Sequence, residues 1–399
     1  MIFTYKAKNS QGAKANGTVE ADDLKAASAL LREQGLFVLQ IGDKKQFSPL
    51  DFLFKDRVPL KDKIIFTKQL SIMVRSGLSL VDALSSLKTE SVNQTLTGVI
   101  DDLVAKVEGG TAFSEALAKH QAVFGDVYVN MVRSGEDSGK LDVVLDRLAI
   151  HLEKDYDLVR KIQGALYYPV FILVTMVVVI ALVIVLVIPQ LKAIFDDAGV
   201  SLPLITRGMI GLSFFLKDFG LYVLAVFVVL AVLIIKWQRT TAGKRFFDRW
   251  VLKVPILSML LKKSYMARFT RTFAALVASG LPLLEVFRLS GKVIGNIHYE
   301  EEIVSMAKKV ETGTAVSVVF KKSTMFPSMI GQLATIGEKS GNMDEVFDSM
   351  ADFFEKDVDN ITTNLSALLE PILMVIIGIC VGFVIMAVLQ PIYGLVNAI

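Results

Sequence analysis

The chain has 399 residues, 53% of them hydrophobic, and its mean hydropathy of +0.53 is high for a water-soluble protein. Its net charge of +3 is too small to indicate a nucleic-acid-binding protein. A single cysteine, Cys380, excludes an internal disulfide and a cysteine-based zinc site.

The N-terminal segment combines strand-like and helical patterns. Phe3 and Tyr5 alternate with polar residues, and a turn and a second strand-like stretch follow. A helical pattern then ends before Gly35, and residues 36–41 are typical of a last strand. We predict a small β-β-α-β cap over residues 1–48. No basic region precedes an apolar core here, so we expect no cleaved signal peptide.

Three apolar segments, uncharged except for Glu370 near the start of the third, account for the high hydropathy. We predict transmembrane helices at 167–189, 219–235 and 368–390, because a hydrocarbon core of about 30 Å needs about 20 apolar residues. Buried helices of a soluble core are the alternative, but such helices rarely present apolar residues on every face over this length.

The distribution of basic residues predicts the topology. Ten Lys or Arg residues and one acid, Asp248, lie between Lys236 and Arg271. Because Lys and Arg concentrate on the cytoplasmic side, we expect a cytoplasmic N-terminus, a periplasmic loop at 190–218 and a periplasmic tail at 391–399.

The two cytoplasmic regions repeat one another. Residues 57–166 and 239–367 share matching residues 203 apart and, after a one-residue deletion, 202 apart. Apolar residues recur at helical spacing, so we predict a mostly α protein with two duplicated six-helix bundles. A long helix is expected to begin near Ser138 and to continue unbroken into the first span. The matching segments include Phe66-Thr67 with Phe269-Thr270, Ser76-Gly77-Leu78 with Ser279-Gly280-Leu281, and Glu153-Lys154-Asp155 with Glu355-Lys356-Asp357.

Each repeat carries a Gly-Glu-x-Ser-Gly motif. A phosphate-binding loop is excluded in the first copy, because Ser134 and Leu141 replace the required Gly and Ser or Thr. We predict a tight turn between helices, with Ser138 or Ser340 capping the next helix. The exposed turn is also a candidate partner-binding site. Its candidate residues are Gly135, Glu136, Gly139, Gly337, Glu338 and Gly341.

One acidic pair is a candidate metal site. Glu153 and Asp157 are four residues apart, so they share a helix face and could offer oxygen ligands to a hard cation. The favoured alternative is a solvated acidic face beside Lys154 and Arg160.

Small residues and prolines mark the spans. Gly378 and Gly382 form a GxxxG pattern, which lets helices approach closely in lipid. Pro169 and Pro371 match one another in the repeat, and we include them among the candidate residues for transmembrane packing.

The sequence contains no catalytic or cofactor-binding motif. Ser-His-Asp, Cys-His and HExxH arrangements are missing, and the three histidines share no metal-ligand spacing. We therefore predict a protein that is not an enzyme. A small oligomeric transporter is a further alternative, although no span carries the polar stripe that a pathway needs.

The duplicated domain, the three spans and the two Gly-Glu-x-Ser-Gly motifs, followed by Asp142 and Asp344, resemble one family. It is the inner-membrane platform protein of type IV pili and type II secretion systems (PilC-like and GspF-like). Residues 295–299 and 334–341 are more similar to the pilus branch, and a type II secretion F protein is the alternative.

The resemblance implies a mechanical role in the bacterial inner membrane. Expected partners are a hexameric cytoplasmic assembly ATPase, pilins or pseudopilins, other inner-membrane alignment proteins, membrane lipid and a second copy of the chain in a dimer, and no nucleic acid. Some secretion-branch members have a calcium site, which Glu153 and Asp157 match here.

Overall fold

The computed structural model forms two units, Met1–Arg57 and Val58–Ile399. The residues that it describes are 2–8, 14–21, 24–33, 35, 37–43, 58–91, 93–187, 189–190, 204–238 and 240–396.

The N-terminal unit is a three-stranded antiparallel sheet with one helix. Strands β1 (Ile2–Lys8), β2 (Lys14–Glu20) and β3 (Phe37–Asp43) are arranged in the order β2-β1-β3, and helix α1 (Leu24–Glu33) precedes β3. Helix α1 buries Ala27 and Leu31. The order of elements agrees with the predicted β-β-α-β cap.

The first helical bundle is built from short helices joined by tight turns. At the start of the second helix, Ser79 accepts a hydrogen bond from the backbone N–H of Asp82 at 3.2 Å, which satisfies one of the unpaired N–H groups of that helix end. The helices are α2 (Leu60–Arg75), α3 (Leu80–Glu90), α4 (Gln94–Glu108), α5 (Phe113–Ala118), α6 (Gln121–Phe124) and α7 (Asp126–Asp137).

The core of this bundle is largely apolar and includes a polar contact between side chains. Phe66, Phe124 and Tyr128 pack together, with ring centroids 5.9 Å and 4.8 Å apart along the series. The Tyr128 hydroxyl lies 3.2 Å from the Thr67 hydroxyl, so the buried phenol keeps a hydrogen-bond partner. Burial raises the pKa of Tyr128, which keeps the phenol neutral.

The second bundle repeats this arrangement with a more aromatic core. Phe273 stacks on Phe347 with ring centroids 4.1 Å apart, and Phe269 packs edge-on against Phe320 and Phe326. Its helices, after the connecting helix α10 (Thr241–Val251), are α11 (Pro255–Ala278), α12 (Leu283–Ile294), α13 (Ile297–Glu311), α14 (Val316–Lys322) and α15 (Ser328–Ser340).

Two very long helices run from the bundles into the apolar segments. Helix α8 (Leu141–Leu182) continues into a π-helical turn at Val183–Val187, and helix α16 (Met343–Val396) closes the second repeat. At a rise of 1.5 Å per residue, these helices are about 63 Å and about 81 Å long. The predicted continuous helix from bundle to first span is therefore confirmed.

Within the described part of the chain, three helices are long and apolar enough to cross a membrane, and they support the predicted transmembrane architecture. The candidate spans are Leu141–Leu186, Lys217–Gln238 and Met343–Gly382. The second lies in helix α9 (Leu204–Gln238), which begins within the predicted 190–218 loop. The part of the predicted loop from Leu204 onward is therefore helical. This is compatible with the predicted span, because a helix can extend beyond the hydrocarbon core.

Candidate functional site: the charged seam between the long helices

The first glycine of each motif is a packing residue inside a helix, and the predicted turn position is wrong. Gly135 is buried in the last turn of α7, where an added Cβ would lie 2.9 Å from the Val144 side chain of α8. Gly337 is buried in α15, where an added Cβ would lie 2.9 Å from the sulfur of Met343. Both glycines therefore permit close contact between the long helix and the helix before it.

The glutamate of the first motif caps a neighbouring helix. Glu136 Oε1 accepts a hydrogen bond from the Phe113 N–H at 2.6 Å, and Oε2 accepts one from the Ser114 N–H at 3.0 Å. Both N–H groups open α5, so the carboxylate satisfies donors that no helical carbonyl can reach and faces the positive end of the helix dipole.

The second motif repeats this contact. Glu338 accepts hydrogen bonds from the Val316 N–H at 2.9 Å and from the Ser317 N–H at 3.3 Å, and the Ser317 hydroxyl adds a third at 2.6 Å. Burial acts to raise the pKa of Glu338, but the hydrogen bonds from Ser317 and Val316 outweigh it and lower the pKa below its ordinary value of 4.5. Glu338 is therefore ionised, and it connects α15 to the start of α14.

The last glycine of each motif forms the turn. Gly139 has φ +66° and Gly341 has φ +76°, in the left-handed region that glycine adopts most easily, and both are exposed. The predicted caps are wrong: Ser138 donates to the Ser134 carbonyl at 2.7 Å, and Ser340 accepts from the Asn342 N–H at 3.4 Å. Among the six candidate partner-binding residues, these two glycines are exposed at the turn itself.

The candidate metal pair is not assembled into a larger cluster. Glu153 forms an ion pair with Lys68 at 3.4 Å, and Asp157 is exposed on the same helix. Within the described part of the chain, no group of three or more His, Cys, Asp or Glu residues is close enough to hold a metal ion. Calcium binding by this pair stays a prediction.

The candidate packing residues of the spans have different surroundings. Pro169 is buried within α8, whereas Pro371 is exposed on α16. Gly378 and Gly382 face open space, with nothing within 4 Å of an added Cβ. Their role in packing between helices stays a prediction.

A charged seam joins α8, α11 and α16, and Arg271 lies at its centre. The Arg271 side chain is 10% exposed and binds three carboxylates of α16: Glu355 at 2.8 Å, Asp352 at 2.5 Å, and Asp348. Burial acts to lower the pKa of Arg271, but the hydrogen bonds to Glu355 and Asp352 outweigh it and raise the pKa. The guanidinium of Arg271 therefore remains a cation, held among three carboxylates of the second repeat.

The seam also links the two repeats to one another. Arg268 of α11 binds Asp155 of α8 at 2.7 Å. Lys154 of α8 binds Glu355 of α16 at 3.2 Å, so this carboxylate is shared between Arg271 and a cation from the other repeat. Farther along the two helices, Lys161 and Asp359 form an ion pair at 2.7 Å. The two membrane-entering helices are thus fastened side by side before they reach the apolar segments.

Further hydrogen bonds and an ion pair strengthen the contact between the bundles. The Ser134 hydroxyl donates to the Ser279 carbonyl, and Arg147 donates to the Ala278 carbonyl, at the end of α11. Lys292 of α12 binds Asp126 of α7 at 2.9 Å. Two of these contacts therefore use a backbone carbonyl of one bundle, and the third joins side chains of both bundles.

The repeat supplies a weaker copy of the central contact. By the offsets of 203 and 202 residues, Lys68 and Glu153 correspond to Arg271 and Glu355. The first pair is 3.4 Å apart with side chains 58% and 51% exposed, whereas the second is 2.8 Å apart and largely buried. The second repeat therefore carries the stronger ion-pair cluster.

Sequence reasoning missed the seam. The acids that bind Arg271 recur at four- and three-residue spacing on one helix face, which is a detectable signal, but their partner is 77 to 84 residues away. His151 was also missed: it is buried, and its Nδ1 has no hydrogen-bond partner among the described residues.

Comparisons with known proteins agree with the repeat and with the cap. A family model described as type II secretion system (T2SS), protein F, matches residues 66–189 and again residues 269–391. A second model, described as the N-terminal domain of type II secretion system protein F, matches residues 1–42.

Full-length relatives come from both pilus and secretion systems. The chain is 36% identical to the type IV pilus assembly protein PilC of Thermus thermophilus, over 100% of this chain and 99% of the relative. It is 32% identical to the type IV pilus assembly protein TapC of Aeromonas hydrophila, over 98% and 95%. It is 27% identical to the type II secretion system protein F of Vibrio cholerae, over 99% and 98%.

Two matched repeats, a matched N-terminal domain and three apolar helices long enough to cross a membrane lead to one conclusion. The chain belongs to the type II secretion system protein F family of inner-membrane proteins, together with the type IV pilus assembly proteins of the PilC and TapC kind.

Proposed function

We propose that this chain is the inner-membrane platform for type IV pilus assembly and couples a cytoplasmic assembly ATPase to the extraction of pilins from the membrane. The observation that carries the proposal is the continuity of α8 and α16 from bundle to span, together with the ion pairs that join them. A displacement of the bundles is transmitted through such helices, whereas a flexible linker would absorb it.

The proposed orientation places the bundles in the cytoplasm. The basic stretch from Lys236 to Arg271 supports this side, because Lys and Arg are retained there. The N-terminus is then cytoplasmic, and the 190–218 segment and the C-terminus are periplasmic.

The proposed partners are those of an assembly machine. A hexameric ATPase meets the bundles from the cytoplasm, pilins approach the spans in the bilayer, and other inner-membrane alignment proteins complete the assembly. The exposed turns at Gly139 and Gly341 are candidate contacts for the ATPase. The open faces at Gly378 and Gly382 are candidate contacts for a second copy in a dimer. The role is mechanical and requires no catalysis by this chain.

A type II secretion platform is the second candidate. The full-length similarity to the Vibrio cholerae secretion protein, at 27% identity, favours keeping it. The pilus assignment is preferred because the pilus relatives reach 36% and 32% identity over almost the same length.

The proposal is tested by deleting the gene and examining the cells by electron microscopy for surface pili. We expect pili to be lost and to return when the wild-type gene is supplied. Pilin should still be present in the membrane fraction, because the platform acts after pilin synthesis. Pilin levels are followed by immunoblot.

Secreted proteins are compared in the same strains. Normal pili together with a loss of secretion would replace the pilus assignment with the secretion one. Normal pili and normal secretion, in a strain without a second copy of the gene, would contradict a platform function altogether.

A further inference from the structure

Helix α10 (Thr241–Val251) carries an aromatic surface that the described residues leave uncovered. The helix begins three residues after Gln238, the end of the second candidate span. Phe246 is 55% exposed and Trp250 is 56% exposed, four residues apart on one side of the helix. Large aromatic side chains so exposed indicate a surface that meets something other than water.

The opposite side of α10 is fastened to the second bundle. Asp248 accepts a hydrogen bond from the Ile297 N–H at 2.8 Å, and its backbone carbonyl accepts one from the Asn296 side chain at 3.3 Å. Arg245 forms an ion pair with Glu301 of α13. Because these contacts fix the rotation of the helix, the aromatic side faces away from the bundle.

The turn between α9 and α10 holds the aromatic side at the end of the span. The Trp237 ring lies 5.5 Å from the rings of both Phe246 and Phe247, measured between centroids. The approach depends on Gly243, where an added Cβ would lie 1.9 Å from the Trp237 carbonyl oxygen. Trp residues at span ends typically lie at the boundary between lipid and water, so the neighbouring aromatic residues of α10 lie at that depth too.

Basic residues lie beside the aromatic surface. Arg249 lies next to Trp250 at its edge, and Lys253 follows the helix. Neither forms an ion pair with a carboxylate of the described residues, and both are exposed. Aromatic residues on one face with flanking cations are the pattern of helices that lie in the membrane interface.

We propose that α10 lies flat on the membrane surface, inserts Phe246 and Trp250 at the lipid–water boundary, and binds anionic phospholipid headgroups through Arg249 and Lys253. This contact fixes the second bundle to the bilayer beside the second span. It depends on the span and on the geometry of the turn, and it holds for a pilus platform and for a secretion platform alike.

The chain itself offers the reporter. It contains two tryptophans, so a Trp237→Phe variant leaves Trp250 as the single one. The full-length variant is reconstituted in vesicles of phosphatidylcholine and phosphatidylglycerol whose acyl chains are brominated near the headgroup. We expect bromine to reduce Trp250 fluorescence at least about two-fold, because interfacial helices bury their apolar face about 5–10 Å deep. Iodide in the buffer should quench it weakly.

A matched variant and a change of lipid complete the test. The Trp250→Phe variant, with Trp237 as sole reporter at the end of the span, gives the bromine quenching expected of a residue at the boundary. Vesicles of phosphatidylcholine alone, or a variant with Arg249 and Lys253 both changed to Gln, should show weaker bromine quenching of Trp250.

Two outcomes would overturn the insertion of the aromatic surface. Strong quenching by iodide and none by bromine would place Trp250 in water. Weak quenching by both would mean that protein, such as a second copy of the chain, covers the surface. Equal bromine quenching with and without phosphatidylglycerol would overturn the binding of anionic headgroups.

Discussion

Replacing Arg271 with Met is expected to destabilise the full-length protein strongly. The substitution leaves Asp348, Asp352 and Glu355 close together on α16 without their shared cation. Removing one partner of a largely buried ion pair costs about 3–5 kcal/mol, and we expect about 2–4 kcal/mol here because two of the carboxylates are half exposed. The thermal unfolding midpoint of the purified protein in lipid nanodiscs measures the effect.

The first repeat provides the matched control. Lys68→Met removes the corresponding cation, but Lys68 and Glu153 are both more than half exposed. Exposed ion pairs contribute about 0–1 kcal/mol, so this variant should unfold near the wild-type midpoint. Arg271→Lys should fall between the two, because lysine keeps the charge but lacks the planar fork that reaches several carboxylates. Equal midpoints for the two Met variants would contradict a central role of Arg271.

Changing Gly135 or Gly337 to Leu is expected to separate the long helices from the bundles. The first atom of the new side chain would already lie 2.9 Å from the Val144 side chain or the Met343 sulfur, and within 3.3 Å of a backbone atom of Leu141 or Met343. Overpacking of this kind costs about 1–3 kcal/mol or more. We expect low yields of folded protein in the membrane and a reduced unfolding midpoint, measured on the same purified material.

Substitutions at two other glycines distinguish a role in helix packing from a role in partner binding. Gly98 is helical and has no atom within 4 Å of an added Cβ, so Gly98→Ala should leave stability unchanged or raised by up to about 1 kcal/mol. Gly139→Asn should keep the turn, because asparagine tolerates a positive φ. Wild-type stability of Gly135→Leu would refute the packing role. Loss of pili in a stable Gly139→Asn variant would assign partner binding to the turn.

Much of the architecture could be predicted because its signals are local or repeated. An uncharged apolar stretch of about 20 residues has few structural solutions, and the spans followed from that length alone. The repeat provides two sequences for each bundle, so a helical pattern in one copy could be compared with the other. The alternation of Phe3 and Tyr5 with polar residues indicated the first strand.

The roles of the glycine and glutamate in the two Gly-Glu-x-Ser-Gly motifs could not be predicted from the local sequence. Glycine is compatible with a turn and with close helix packing, and the sequence around Gly135 does not distinguish them. The distinction depends on Val144 of α8, and the role of Glu136 depends on the N–H groups of Phe113 and Ser114, more than 20 residues earlier. Such contacts follow from tertiary packing.

The seam was harder still to predict. Charges on an exposed helix usually remain solvated, so the acids before the third span gave no reason to expect a buried cation. Arg271 becomes buried where α8, α11 and α16 pack against one another. The pairing therefore follows from the association of the two repeats.

The proposed function requires that the two repeats move as one body, which depends on the joining of α8 and α11 across the seam. It is tested most directly by exchanging the charges of Arg268 and Asp155, whose side chains meet at 2.7 Å. The variants Arg268→Asp, Asp155→Arg and the double exchange are expressed in a strain that lacks the gene. Surface pili are then counted by electron microscopy, with membrane levels of the protein matched by immunoblot.

Each single exchange places like charges against one another, which costs several kcal/mol when they are close. We predict at least about a ten-fold loss of pili in both single variants and substantial recovery in the double variant, where attraction is restored. Normal pili in the single variants, at wild-type protein levels, would contradict the claim that force passes through the seam.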